Sequence, residues 1–196
     1  MNTIELIDRL EQDKSLQKEE WIHVIEDDSE ENRKYAAEKA RALGDTYYGK
    51  EIFVRGLIEF TNYCKNDCYY CGIRCSNKKA NRYRLSEEDI LACCEEGDRL
   101  GFRTFVLQGG EDPYYTDDKI VDIVREIKRR YPEHAVTLSI GERERESYER
   151  FFAAGADRYL LRHETANDTH YRKLHPESMS LSLIHISEPT RLDVIS

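Results

Sequence analysis

The chain has 196 residues, 39% of them hydrophobic, which is enough for one domain with a real core or for part of a larger one. Asp and Glu outnumber Lys and Arg by 39 to 30, for a net charge of −9; nucleic acids and anionic membranes recruit clustered positive charge, so neither is expected as a partner. No apolar run reaches bilayer length and Met1 to Leu10 mixes Glu5, Asp8 and Arg9 into its apolar residues, unlike a signal peptide, so a cytoplasmic protein is expected, in which six cysteines read as metal ligands or catalytic groups before disulfides.

Residues 1–50 read as a helical lead-in. Ile4, Leu6, Ile7 and Leu10 fall at helical spacing, and Trp21, Ile22 and Ile25 repeat the pattern after a polar gap. A longer helix is predicted from Ser29 to Leu43, with Ser29 as N-cap, Ala36, Ala37 and Ala40 as good helix formers, and Gly44 as its end. From Glu51 the pattern alternates between strand and helix. Glu51 to Phe60 holds a β-rich stretch, Ser86 opens a helix ending near Gly101, and Thr104 to Gln108 is a short buried strand. Asp117 to Arg130 carries Ile120, Ile123, Val124 and Ile127 on one stripe and reads as helix. A strand at Ala135 to Ile140, a helix at Arg143 to Ala154, a strand at Asp157 to Leu161 and a helix from Asn167 to Leu174 follow. Such βα units in succession predict an α/β fold with a parallel sheet and right-handed crossovers, the first four units of an incomplete (β/α) TIM-type barrel. Chemistry in these barrels sits where the strands end, so the loops after the strands are the candidate site.

The loop after the first strand carries Cys64, Cys68 and Cys71 in a Cys-x-x-x-Cys-x-x-Cys run. Three thiolates this close can hold three irons of a 4Fe-4S cluster and leave the fourth open to substrate or cofactor. Two alternatives stand beside it: a structural zinc site, or an ordinary electron-transfer cluster with Cys75 as fourth ligand. Structural zinc sites usually pair two knuckles and this chain offers one Cys-x-x-Cys; the ferredoxin run has a shorter first gap and a Pro after its last Cys, where this chain has Ser76. After the second strand come Gln108, Gly109, Gly110, Glu111, Asp112 and Pro113. Two glycines let backbone approach a ligand closely, and exposed carbonyls there can accept from an ammonium, with Glu111 either binding that ammonium or bracing the loop. Ser139 ends the third strand. Along the fourth, alternation sends Arg162 and Glu164 the same way, into the barrel mouth, as a plus-minus pair that suits an amino-acid moiety or ribose; a plain salt bridge is the alternative. His163 is expected to face the helix layer. Cys93 and Cys94 fall in the first barrel helix and read as small buried fillers.

The cysteine spacing, with aromatic Tyr70 just before the last cysteine, resembles the signature of the radical SAM (S-adenosylmethionine) superfamily. Residues 155–159 and Leu161 to Asn167, with Cys71 to Arg74 and Phe105 to Asp112, resemble the HydE maturases of FeFe-hydrogenase. The resemblance runs through the helical lead-in and a core at 51–179 to about Met179. It implies a 4Fe-4S cluster on Cys64, Cys68 and Cys71, with SAM on its open iron, and reductive cleavage of SAM to a 5'-deoxyadenosyl radical. It further implies that Tyr70 contacts the adenine, that Gly109, Gly110 and Glu111 serve the SAM amino group, and that Ser139 and Glu164 bind SAM with Arg162 nearby. The implied partners are a small-molecule or organometallic iron substrate, other hydrogenase maturases and a reducing electron donor. Methylornithine synthase and biotin synthase are the enzymatic alternatives. Biotin synthase places further cysteines on barrel strands, where this chain has Gln108 and Ser139, so sulfur insertion is disfavoured. A structural zinc or iron-sulfur module is the non-enzymatic alternative.

Residues 180–196 depart from the family pattern. Leu183 stands near where HydE proteins carry an arginine that contacts SAM, and Ser182 to Arg191 resembles translated sequencing-adapter read-through, beside which a divergent but genuine C-terminus remains open. The remaining βα units are not expected in this length, so the interior face of the sheet, with Val106, Leu138 and Leu160 as candidates, should lack its facing layers.

Overall fold

Side-chain caps mark where most of the helices begin, and the computed structural model, which describes residues 1–162, 164–165 and 167–179, shows them in place at Asn2, Ser29, Ser86, Thr116 and Asn167. In α1 (Thr3–Asp13) Asn2 accepts from the Glu5 N–H while Glu5 reaches back to the Asn2 N–H, a capping box. After α2 (Lys18–Glu26), Ser29 accepts from the Asn32 N–H at 3.2 Å and opens α3 (Glu30–Tyr48). This helix runs through Gly44 and stops at Gly49, whose φ is +59°. Gly44 falls in mid-helix because nothing after it breaks the ladder until a residue takes a positive φ. The chain divides into two compact units between Phe53 and Val54, and the three helices make up the first.

The second unit is a parallel sheet ordered β1-β2-β3-β4, its strands in sequence order. These are β1 (Gly56–Thr61), β2 (Thr104–Gly109), β3 (Ala135–Ser139) and β4 (Arg158–Tyr159), joined by α4 (Glu87–Arg99), α5 (Asp117–Arg130) and α6 (Arg145–Ala154). α7 (Asp168–Leu174) follows, with the Asn167 side chain accepting from the His170 N–H at 2.9 Å. Residues 51–55, read from sequence as strand, lie outside β1, and β4 has two residues where five were expected. Both segments fall where the sheet ends and a ladder partner is present on one side only.

Register fixes the two faces of the sheet. Ile58 pairs with Leu107 and Leu107 with Leu138; on the alternate rows Leu57 pairs with Val106 and Val106 with Thr137, then Glu59 with Gln108 and Gln108 with Ser139. Ile58, Phe60, Phe105, Leu107, Val136 and Leu138 form one core with Ile90 and Cys94 of α4, Ile120, Ile123, Val124 and Ile127 of α5, and Phe151 of α6. Each such side chain contributes about 1.5 to 3 kcal/mol on burial. Leu138 therefore shares a face with Leu107 and packs toward the helices, contrary to its expected interior placement, since the strand period of 2 separates it from Val106's partner Thr137. Val106 and Leu160 do belong to the other face, where Leu57 is 54% and Leu160 43% exposed. Cys94 is wholly buried, with its thiol pushed up to about 12 by burial, whereas Cys93 is exposed.

Candidate functional site

The loops at the C-terminal ends of the four strands surround a cavity of about 440 Å³. Cys64, Cys68 and Cys71, Tyr70, Gly109, Gly110 and Glu111, Ser139, Arg162 and Glu164 all line it, as do Glu59, Gln108 and His175. Residues more than a hundred positions apart thus meet at one opening, as expected where βα loops converge. His163 and Leu183 lie outside the described residues.

The cysteine loop is held from inside and from both flanks. The Cys71 N–H donates to the Cys68 carbonyl at 3.0 Å, and the Cys75 N–H closes the loop on the Asn66 carbonyl at 3.0 Å. Arg82 donates to the carbonyls of Ile73 (2.8 Å), Arg74 (2.7 Å) and Asn62, so one guanidinium fastens the loop to the end of β1. On the other flank the Lys65 N–H donates to the Glu111 carbonyl at 2.9 Å. The Glu111 carboxylate accepts from Asn66 Nδ2 at 2.8 Å and pairs with Lys65 Nζ at 3.1 Å. Of the two roles open to Glu111 in the sequence, bracing the cysteine loop is the one these contacts describe.

The glycines are there for close approach. A Cβ on Gly110 would stand 2.2 Å from the Tyr63 carbonyl oxygen and 2.8 Å from Cys64 Cβ. One on Gly141, at φ +79°, would meet Glu111 Cγ at 2.1 Å. Beneath this loop Asp112 is 1% exposed. It accepts from Arg84 Nε at 2.6 Å and Nη2 at 2.9 Å, from Thr61 Oγ1 at 2.8 Å and from the Tyr114 N–H at 3.0 Å. Burial alone would raise its pKa, but the Arg84 guanidinium and these donors outweigh it and hold the carboxyl below its ordinary value. Arg84 also lies over the Tyr63 ring, 3.9 Å from its centroid, so one buried carboxylate ties β1, the approach to Cys64 and the glycine loop together.

A strap closes the far side. The Tyr69 N–H donates to the Leu174 carbonyl at 2.9 Å, and Met179 Sδ lies 3.9 Å from Cys68 Sγ. His175, 5% exposed, directs Nδ1 at the Tyr171 carbonyl (3.0 Å) and Nε2 at the Tyr70 hydroxyl (3.3 Å). With Nδ1–H given to that carbonyl, Nε2 of the neutral ring is the acceptor and Tyr70 donates. Burial, then the neighbouring Cys68, raises the Tyr70 hydroxyl above the usual phenol value and keeps it a donor. Opposite the strap, Arg162 Nη2 donates to Gln108 Oε1 and Gln108 Nε2 to Glu59 Oε1, each at 3.3 Å. Glu164 sits at φ +61°, a left-handed conformation that costs a non-glycine residue about 1 kcal/mol or more; the other such residue described, Lys14, is the C-cap of α1, whereas Glu164 lines the cavity.

Three free, partly buried thiols at one cavity fit an iron-sulfur cluster. Burial raises Cys64 and Cys68; the Glu111 carboxylate and then Cys71 add to it at Cys64, against backbone N–H groups that lower it, and Cys64 and Cys71 add to it at Cys68, so cationic iron is the counter-charge such a set calls for. Among the described residues no three His, Cys, Asp or Glu side chains converge as ligands of one ion, whereas a cluster takes each thiolate on a separate iron. Cys75 is exposed and outside the cavity lining. His175, Asn66, Arg82, Asp112 and Glu59 were not singled out from sequence. Only Asp112 carried a signal there, as the second of two acids that follow the glycine pair.

An opened parallel βα sheet with a cysteine triad on its first strand-end loop and a glycine pair on its second defines the class: a partial (β/α) barrel with its candidate site at the strand ends. The Radical SAM superfamily model matches residues 58–180, and the chain belongs to the radical SAM superfamily. It is 52% identical over 132 residues to the FeFe hydrogenase maturase subunit HydE of Thermotoga maritima, covering 67% of this chain and 37% of that protein. It is 34% identical to the 3-methylornithine synthase of Methanosarcina acetivorans, over 75% of this chain and 42% of the synthase. The crystal structure of methylornithine synthase superposes with a TM-score of 0.78 at 29% identity, covering 92% of this chain and 53% of that one. The chain thus spans about two fifths of the length of these curated relatives.

Proposed function

We propose that this chain is the cluster- and SAM-binding part of a radical SAM enzyme acting in FeFe-hydrogenase maturation. The observation that carries the reading is the convergence of three thiols, a glycine-walled loop and a left-handed Glu164 on one cavity, supported by 52% identity to HydE. Cys64, Cys68 and Cys71 would hold the 4Fe-4S cluster. When bound, the cluster supplies one electron to the sulfonium of SAM, which then breaks into methionine and a 5'-deoxyadenosyl radical. The residues of this chain bind and orient. Carbonyls at Gly109 and Gly110 accept from the SAM amino group, Ser139, Arg162 and Glu164 meet its polar groups, and Tyr70, aimed by His175, meets the adenine. Glu111 keeps the cysteine loop against the glycine loop. The substrate belongs to the far end of the cavity, toward Glu59 and Gln108.

The test is anaerobic reconstitution with iron and sulfide. Replacing Cys64, Cys68 and Cys71 by Ala should abolish cluster absorbance, and Cys75→Ala should leave it. A full cluster in the triple variant overturns the ligand assignment. SAM titration of Glu164→Ala then checks the pocket: unchanged affinity would place SAM elsewhere. Identity to 3-methylornithine synthase over 75% of this chain supports a second reading, and formation of 3-methylornithine by a protein carrying this chain would decide for it.

A further inference from the structure

The stretch from Lys65 to Arg84 is basic within an acidic chain. It carries Lys65, Arg74, Lys78, Lys79, Arg82 and Arg84 against a single acid, Asp67, while the whole chain has a net charge of −9. Three of the cations meet carboxylates: Lys65 meets Glu111 at 3.1 Å, Arg74 meets Asp67 at 4.0 Å, and Arg84 meets Asp112 at 2.6 Å. Arg82 spends its N–H groups on carbonyl oxygens, which leave its charge uncancelled. Lys78 and Lys79 are exposed, and no carboxylate reaches either among the described residues. This charge is attached directly to the cysteine loop. Asn77 Nδ2 donates to the Gly72 carbonyl at 2.8 Å, the Lys79 N–H donates to Asn77 Oδ1 at 3.0 Å, and Arg82 grips the carbonyls of Ile73 and Arg74. Gly72 and Ile73 in turn line the cavity beside Cys71.

We propose that the face formed by Lys78, Lys79 and Arg82 docks an acidic one-electron carrier protein that reduces the cluster. The proposal rests on the reading of Cys64, Cys68 and Cys71 as cluster ligands. In the step the carrier loses one electron and the cluster gains one, with no bond or proton exchanged. Electron transfer weakens steeply with distance, and this face is bonded to the loop that carries the ligands. Charge complementarity speeds the encounter of an acidic carrier without demanding a tight complex, and redox pairs associate through small interfaces. A polynucleotide fits worse. Its affinity comes from many simultaneous phosphate contacts, and here three uncancelled cations stand on a chain that is acidic as a whole.

The test compares the full chain with its Lys78→Glu/Lys79→Glu variant, with Arg82 untouched because it holds the loop. The probe is an acidic flavodoxin, and binding is measured on cluster-free and reconstituted protein at low and high salt. The variant should bind flavodoxin at least about tenfold more weakly at low salt, with the gap closing as salt screens the charges. Reduction by flavodoxin hydroquinone should slow by a similar factor, while iron content and reduction by dithionite stay unchanged. Equal flavodoxin affinity and reduction rate in the two proteins overturn the proposal, as does wild-type protein that shows no salt-sensitive binding. Loss of binding to a single-stranded RNA oligonucleotide, with flavodoxin binding intact, overturns it in favour of a polyanion site. Charge-dependent docking by a chain that takes up no cluster supports the surface and fails the cluster reading alone.

Discussion

Gly110 has no room for a side chain, because the nearest atom to its missing Cβ is a backbone oxygen that cannot rotate away. Gly110→Ala should therefore cost about 1 to 3 kcal/mol through backbone shifts at the cysteine loop, read as a lower melting temperature together with reduced cluster loading. Normal melting and loading would show that the loop yields more easily than this geometry allows. His175 acts at longer range. Its ring fixes the Tyr70 hydroxyl, and an ordinary hydrogen bond contributes about 0.5 to 1.5 kcal/mol, so His175→Phe should weaken SAM binding about two- to tenfold at unchanged iron content. His175→Gln, which keeps an acceptor, should recover part of that loss. The gathering of Cys64, Cys68 and Cys71 at one cavity was legible in the sequence because three cysteines on one loop are a local pattern. His175 was not, because its partner lies 105 positions away and nothing in the intervening residues announces the pairing.

At the level of elements, the contact between Asp112 and Arg84 joins the segment leading into α4 to the loop after β2, and the Thr61 hydroxyl adds β1 to the same carboxylate. Removing one partner of a fully buried pair costs about 3 to 5 kcal/mol, but the Arg84 side chain is 35% exposed, so solvent screening lowers the expectation for Asp112→Asn to about 1 to 3 kcal/mol. The pH dependence has a definite sign. The Asp112 pKa is depressed in the folded state, so its contribution is complete above the unfolded carboxylate value of about 4 and is lost as pH falls through the lower folded value. Melts of wild type and Asp112→Asn should differ at neutral pH and converge below about pH 4; a gap that persists in acid would mean the pair does not act through its charge. Helices were read well wherever a cap and an apolar stripe agreed, as in α5, whose bounds at Asp117 and Arg130 match the sequence reading. They were read less well at α3, where a glycine in the sequence suggested an end that the backbone does not take. β4 came out shorter than read because apolar pattern records burial, while a strand also needs a ladder partner.

Over the whole molecule, the described sheet has two edges, β1 and β4. On the face away from the helices Leu57 and Leu160 are open to solvent, and the buried Thr137 hydroxyl has no partner among the described residues. Open parallel edges are unusual, since such sheets are normally covered on both faces. A longer protein that adds strands pairing with β1 and β4 should melt higher than this chain by several degrees and expose less apolar surface to a hydrophobic dye. Equal melting temperatures would mean that the edges are already protected. The parallel order, the crossovers and the placement of the site at the strand ends were all legible from the βα alternation. The inward or outward direction of single residues such as Leu138 was not, because a one-residue shift in register exchanges the faces.

The strap from α7 to Met179 also sets an order of events during synthesis. Tyr70 leaves the ribosome 105 residues ahead of His175, an interval of about 5 to 20 s at typical elongation rates of about 5 to 20 residues per second. Throughout that time the three thiols stand on a loop whose covering segment does not yet exist. A cluster assembled on the nascent loop would be made before that segment exists, and one assembled on the finished chain would be made with Tyr70 and Met179 already beside the thiols.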